Sequence, residues 1–277
     1  MSQLVAAIGD IHGRFERVEA WLRELEQVQG RKLGLAIGVG DLETFSAPNA
    51  PLRKRTKRTE PAEFGAYART ERKLPCPFVF IGGNNEDFAA LHALQQGGEL
   101  APGIRYLGRA GAAELAGVKA GFLSGIFAPT SFERPLELPL NLELARRAGH
   151  FRKVEVECVA ALDRVDLLLL HDWPRGISGR GRGAPPGFWG NTQARELVER
   201  LRPAWVLCGH QHRAWAAMVG PSHIACLADA DRADNGLLWL EVDGGAVRAV
   251  GWGLSKQPAW RSGEPWDPRR APAISPG

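Results

Sequence analysis

Leu4-Val5-Ala6-Ala7-Ile8 runs straight into Gly9-Asp10-Ile11-His12-Gly13: an apolar run that stops at a glycine and then offers two polar side chains. Apolar residues bounded by glycine read as a buried strand. Phe15, Val18, Leu22, Leu25 and Val28 follow at three- and four-residue steps with charged residues between them, which predicts an amphipathic helix. The pattern returns along the chain. Leu33 to Val39 ends in Gly40-Asp41, and Pro77 to Ile81 ends in Gly82-Gly83-Asn84-Asn85-Glu86. Val165 to Leu170 ends in His171-Asp172, and Ala204 to Cys208 ends in Gly209-His210-Gln211-His212. Helical segments over Glu86 to Gln95 and Thr192 to Arg202 separate some of these strands. Alternating strands and helices with polar residues at the strand carboxyl ends predict an open α/β sheet with its site along that edge.

After residue 212 the helical pattern stops. Arg213 to Val219, His223 to Leu227, Gly236 to Val242 and Ala246 to Gly251 read as short antiparallel strands with Asp243-Gly244 as a hairpin turn, forming a second sheet packed on the first. Two stretches interrupt this scheme. Leu52 to Lys73 is dense in Lys and Arg and reads as a loop with a helix near its end, and Arg175 to Gly187 is rich in Gly, Arg and Pro. The expected organisation is one domain over residues 1–253 with a basic insertion at 52–73, then a Pro-rich tail over 254–277.

At 44% hydrophobic and 24% charged residues, the 277-residue chain has an ordinary globular composition, which excludes collagenous, coiled-coil and low-complexity classes. No apolar run approaches a membrane span, and no basic segment precedes the first apolar stretch as a signal peptide requires. Cys76, Cys158, Cys208 and Cys226 are scattered without C-x-x-C spacing, which suits a reducing compartment and a cytoplasmic enzyme. The net charge of +4 permits a polyanionic partner without demanding one.

The strand ends carry the chemistry. Asp10, His12, Asp41, Asn84, His171, His210 and His212 are a donor set of the size that two divalent ions about 3.5–4 Å apart require. Asp-x-His and His-x-His spacings suit a turn after a strand, where alternate side chains point the same way. His92, His150 and His223 lie outside the set.

Gly-Asp-Ile-His-Gly, Gly-Asp, Gly-Asn-Asn-Glu, His-Asp and Gly-His-Gln-His resemble the five ordered motifs of calcineurin-like metallophosphoesterases, over roughly residues 4 to 250. The resemblance implies a four-layer αββα sandwich and a dinuclear centre that hydrolyses phosphate esters by attack of metal-activated hydroxide. It implies Asp10, His12 and His212 at one ion, Asp41 as the bridge, and Asn84, His171 and His210 at the other. Mn²⁺ is the first expectation, with Fe²⁺, Zn²⁺ or Ni²⁺ as alternatives. Within the family the chain is most similar to the catalytic domain of RNA lariat debranching enzymes. Arg105-Tyr106-Leu107-Gly108, Leu123-Ser124-Gly125-Ile126-Phe127, His150 to Val156 and His171-Asp172-Trp173-Pro174-Arg175-Gly176-Ile177 carry that likeness.

Two positions depart from the pattern. Debranching enzymes commonly place Cys where Asp10 stands, so Asp10 restores an ordinary carboxylate ligand. Family members usually have His after the Asn of the third motif, read as the acid beside the leaving group, and this chain has Asn85. Asparagine can donate a hydrogen bond there but cannot hand over a proton. His150 or His223 could substitute only if the fold brings one in. The expected function is a phosphodiesterase acting on nucleic acid or a nucleotide, with RNA or another single strand as partner, Asn85 and Asp41 at the reacting phosphate, and Arg53, Arg55, Arg58, Trp173 and Arg175 along the substrate path. A phosphomonoesterase and a metal-bearing binding protein with weak catalysis are the alternatives. No membrane or protein partner is expected.

Overall fold

The computed structural model describes residues 2–45, 63–136, 147–177, 187–230 and 233–254. Arg53, Arg55 and Arg58 of the basic insertion and the Pro-rich tail from residue 255 lie outside the described residues.

Two mixed sheets face each other. In the first, β1 (Gln3–Ile8), β2 (Leu33–Gly38), β3 (Phe78–Phe80) and β5 (Ile104–Tyr106) run parallel. This sheet is completed by β4 (Gly98–Ala101) and by the hairpin of β12 (Leu237–Asp243) and β13 (Ala246–Trp252), giving the order β13-β12-β1-β2-β3-β5-β4. The second contains β6 (Ala110–Leu115), β7 (Val118–Leu123), β8 (Leu167–Leu170), β9 (Trp205–Cys208), β10 (Trp215–Val219) and β11 (Ser222–Cys226), in the order β10-β11-β9-β8-β7-β6.

Strand alternation divides the apolar residues among three cores. In β1, Val5 and Ala7 join Val118, Ala120, Phe122, Leu167, Leu169 and Leu207 between the sheets. Leu4, Ala6 and Ile8 turn the other way, onto Phe15, Val18, Leu22 and Leu25 of α1 (Phe15–Gln29). A strand buried on both faces needs no polar alternation, so the continuous apolar runs are explained. Each of the four α1 side chains contributes about 1.5–3 kcal/mol by leaving water. On the far side, Leu168, Leu170 and Val206 pack with residues of two outer helices. Among the described residues the remaining α-helices, in chain order, are α2 (Phe64–Ala68), α3 (Phe88–Ala93), α4 (Pro129–Phe132), α5 (Lys153–Ala160) and α6 (Thr192–Leu201). Val159 of α5 and Leu197, Val198 and Leu201 of α6 complete that third core. Helix, sheet, sheet and helix stack as the expected four-layer αββα sandwich.

The structure corrects two expectations. The five motif-bearing strands do not share one sheet: β1, β2 and β3 belong to the first and β8 and β9 to the second. Nor do the strands after residue 212 make a sheet of their own. β10 and β11 extend the second sheet, with β11 parallel to β9, while β12 returns to pair antiparallel with β1. An apolar run reports that a strand is buried and is silent about which strand it pairs with. The final hairpin forms, but its turn is Gly244-Gly245 and not the expected Asp243-Gly244: Asp243 still pairs with Ala246, and both glycines take the positive φ that a two-residue turn between twisted strands requires. The helix expected over Glu86 to Gln95 is shorter, Phe88–Ala93, because Asp87 caps it by accepting the Ala90 N–H at 3.2 Å. Among the described residues, no helix is long and apolar enough to cross a membrane.

Candidate metal centre

All seven residues of the expected donor set sit just beyond strand carboxyl ends: Asp10 and His12 after β1, Asp41 after β2, Asn84 after β3, His171 after β8, and His210 and His212 after β9. Their backbones are bent sharply. His12, Asp41, His210 and His212 have φ of 47, 51, 64 and 52°, a left-handed conformation that costs a residue with a side chain about 1–3 kcal/mol. Two glycines make room. A Cβ on Gly83 would lie 2.1 Å from Asp41 Oδ1, and one on Gly209 would lie 2.2 Å from Asp10 Oδ1.

The donors converge in two groups, Asp10–His12–Asp41–His212 and Asp41–His171–His210, each with its ligand atoms within 4.8 Å of one another. Asp41 belongs to both, and Asn84 joins the second, its Oδ1 3.2 Å from His171 Nε2. Each group draws on both sheets, the imidazoles at 171, 210 and 212 coming from the second and the rest from the first.

Hydrogen bonds orient three of the rings for cation binding. His12 Nδ1 lies 2.9 Å from Glu43 Oε1, His212 Nδ1 lies 3.0 Å from Asp229 Oδ2, and His171 Nδ1 lies 2.7 Å from the Val39 carbonyl. Each partner only accepts, so each Nδ1 carries a hydrogen and each Nε2 turns inward with a lone pair. There the Nε2 atoms of His12 and His212 are 3.1 Å apart, His212 Nε2 is 3.0 Å from Asp10 Oδ2, and His171 Nε2 is 3.3 Å from Asp41 Oδ1. With neutral rings these are acceptors facing acceptors, and they need a cation or a proton between them. The donor set therefore fits divalent metal ions.

Without metal, protons take that place. Burial opposes the charged form of His12, but the Glu43 bond and the charges of Asp41 and Asp10 raise its pKa to about 9. Burial likewise opposes charge on His171, and Asp41, Asp10 and the Val39 carbonyl raise it to about 10. Hydrogen bonds donated by the His212 ring to Asp10 and Asp229 bring it to about 10 against burial. Asp41, despite complete burial, stays ionised well below the usual carboxylate range because His171 and His12 face it and Asn85 bonds to it. His210 moves down instead, through burial and the charge of His171.

The residues expected along the substrate path fare differently. Asn85 donates its backbone N–H to Asp41 Oδ1 and its side-chain Nδ2 to Asp41 Oδ2, both at 2.7 Å. Its amide is thus turned onto Asp41. Trp173 must be corrected: it is fully buried and packs edge-on against Trp215 at 5.7 Å, so its faces are closed to a base. Arg175 is exposed on the turn after β8, its N–H bonded to the Asn191 carbonyl. Of the candidate substitute acids, His223 stacks on Trp205 at the opposite end of β9 from the site. His150 is nearer, because Gly149 packs against Asn84; its Nδ1 lies 2.9 Å from Ser131 Oγ, and burial with Arg152, Arg109 and Arg147 lowers its pKa.

Sequence reasoning missed the supporting carboxylates. Glu43 and Asp229 orient rings, and Asp172 accepts from Gln211 Nε2 at 2.9 Å and Asn191 Nδ2 at 3.0 Å, tying the turn after β8 to the loop after β9. Glu86 is almost wholly buried and accepts three backbone N–H bonds. Burial and the charge of Asp41 push its pKa up to about 8, against those three bonds. The available signal was position: Glu43 and Glu86 each follow a donor by two residues.

The family model of calcineurin-like phosphoesterases matches residues 4–214. The lariat debranching enzyme of Drosophila melanogaster is 32% identical over 252 residues, covering 82% of this chain and 46% of that protein. The human lariat debranching enzyme is 32% identical over 240 residues, covering 78% of this chain and 43% of its own length. That of Entamoeba histolytica is 27% identical over 241 residues, covering 81% and 68%. The chain thus spans less than half the length of the two animal relatives. Among solved structures, the protein TT1561 of Thermus thermophilus superposes with a TM-score of 0.57 at 15% identity, covering 92% of this chain and all of that one, a likeness of fold alone. With five motifs in order, the sandwich that carries them and a family match over most of its length, the chain belongs to the calcineurin-like phosphoesterases.

Proposed function

We propose that this chain is a metal-dependent phosphodiesterase that hydrolyses phosphodiesters of nucleic acid or a nucleotide, in the manner its debranching-enzyme relatives are named for. The observation that carries the reading is the pair of donor groups sharing Asp41. Asp10, His12 and His212 would hold one divalent ion, Asn84, His171 and His210 the other, and Asp41 both. Mn²⁺ is our first choice, with Fe²⁺, Zn²⁺ or Ni²⁺ as alternatives. Such ions supply Lewis-acid charge opposite the phosphate oxygens and lower the pKa of water. The chain's own residues do the rest. The Nδ1 bonds fix the rings, and Asn85 holds both oxygens of Asp41 while its amide can offer a hydrogen bond, but no proton, to a departing oxygen. Arg175, and Arg53, Arg55 and Arg58 outside the described residues, are our candidates for contacts to flanking phosphates.

Asn85 also favours a second reading, a metal-bearing protein with weak catalysis. One experiment separates them: turnover of bis-para-nitrophenyl phosphate and of branched and linear RNA with and without Mn²⁺. Metal-dependent cleavage of the diesters supports the proposal, and no turnover with ions bound overturns it. Asn85→His should raise turnover of RNA, whose alkoxide needs a proton, by about 10-fold, and change little for para-nitrophenolate. Equal effects on both substrates would place the acid elsewhere.

A further inference from the structure

Resting on that functional reading, we propose that Glu86 is a positioning residue of the reaction: its single buried carboxyl group sets the loops of Asp41 and Asn84 in register, and it reaches His12 through Glu43. Glu86 lies two residues beyond Asn84, so it is planted on the loop after β3. Its Oε1 accepts the N–H of Gly83 at 2.9 Å on its own loop and the N–H of Leu42 at 3.1 Å on the loop after β2. Its Oε2 accepts the N–H of Glu43 at 3.0 Å. Gly83 precedes Asn84, Leu42 follows Asp41, and Glu43 holds His12 Nδ1, so one side chain bonds two of the loops directly and reaches the third through Glu43.

The Glu43 arm depends on it most. Glu43 has φ of 54°, a strained backbone for a side-chain-bearing residue, and such strain persists only where the surroundings hold it. The bond to Oε2 is one of those restraints. If it is lost, Glu43 can relax toward ordinary φ and withdraw its carboxylate from His12, whose tautomer and ring direction are then free.

Glu86→Gln discriminates between the arms because an amide has one acceptor. Its oxygen can keep the two bonds to Gly83 and Leu42, which sets its NH₂ against the Glu43 N–H, donor against donor. The test is Mn²⁺ titration by calorimetry and elemental analysis, with the ¹⁵N shifts of the His12 ring read in the metal-free protein at about pH 10, above its raised pKa, where the ring is neutral and has a tautomer to report. We expect the affinity of one of two ions to fall by about 10-fold or more, the other to stay within about twofold, and the His12 signals to lose their fixed tautomer. Glu43→Gln should weaken the same ion, and the double variant should be no worse than the weaker single one, because both act on one link. Two unchanged affinities in Glu86→Gln, or losses that add in the double variant, overturn the proposal. So does a Glu86→Gln protein that merely melts earlier with both ions and the His12 tautomer intact. Should Glu86→Gln not fold, Glu43→Gln alone decides, since it leaves all three N–H bonds in place: both ions retained overturns the relay. A wild-type chain that takes up no divalent ion overturns the functional reading instead.

Discussion

The two donor groups differ in how their imidazoles are held. Around His12 and His212 stand Asp10, Asp41, Glu43 and Asp229, four carboxylates for two rings, and the His212 side chain keeps 37% of its surface open. Around His171 and His210 stand Asp41 and the neutral Asn84, with Asp10 and Asp172 acting on the rings through their charge alone, and His171 is fully buried and oriented by a main-chain carbonyl. The first group is charge-rich and tuned by side chains that substitution can remove. The second has fewer carboxylates bonded to its rings, and its key orienting bond belongs to the backbone. Negative charge beside a ring raises its basicity and its hold on a cation, so the first group should bind the stronger ion and be the easier to disable.

The shared ligand gives the largest test. Asp41→Asn removes the charge common to both groups, and turnover should fall by about 10³-fold or more, the several kcal/mol that such a cation contributes. If one ion were to remain at full affinity with activity intact, the groups would not share a bridge, and the comparison would lose its common term.

A smaller effect should separate the halves. Asp229→Ala deletes the partner of His212 Nδ1 and should weaken one ion by about 10–100-fold, leaving the other unchanged. Calorimetric titration that shows both ions weakened equally would mean that the groups behave as one site.

The smallest effect is on metal-free stability. His12 and His212 of the first group and His171 of the second have folded pKa values of about 9 to 10, above the ordinary imidazole value of 6.5. A raised imidazole pKa contributes stability that is complete below the unfolded value and disappears as pH rises through the folded one. Chelator-treated protein should therefore melt progressively earlier between pH 7 and 10, by about 2–4 °C for each kcal/mol lost. Metal-saturated protein should not follow that slope, because cations replace the protons. A flat melting profile in chelator would show that these rings are already neutral.

Much of this was legible in the chain because strand ends declare themselves. Buried parallel strands are continuous apolar runs, and a ligand-bearing turn after each one stands out against them, so Asp10, Asp41 and His171 could be found from position alone. What stayed hidden was relational. Nothing in Val165 to Leu170 says that β8 lies in a different sheet from β1, and β6 (Ala-Gly-Ala-Ala-Glu-Leu) is too small-sided to register as a strand. Trp173 illustrates the same limit: an indole in a polar-looking motif can stack on a base or fill a core, and only burial decides. Glu43, Glu86 and Asp229 hide because a carboxylate in a loop is ordinary until its partner is seen.

That both donor groups straddle the sheets gives the centre a mechanical role besides its chemical one. The sheets meet through an apolar layer, which resists separation well and sliding less well, since dispersion contacts have little directional preference. Ions coordinated from β1, β2 and β3 on one side and from β8 and β9 on the other would act as rivets at one end of the sandwich. Slippage of one sheet along the other would have to break several directional bonds there, while the far end, around His223 and Trp205, would keep packing and the hydrogen bond from Trp205 Nε1 to the Val247 carbonyl at 3.1 Å. Loss of metal would then loosen the molecule asymmetrically, from the chemical end, and amide exchange at the β1, β2, β8 and β9 carboxyl ends would report it.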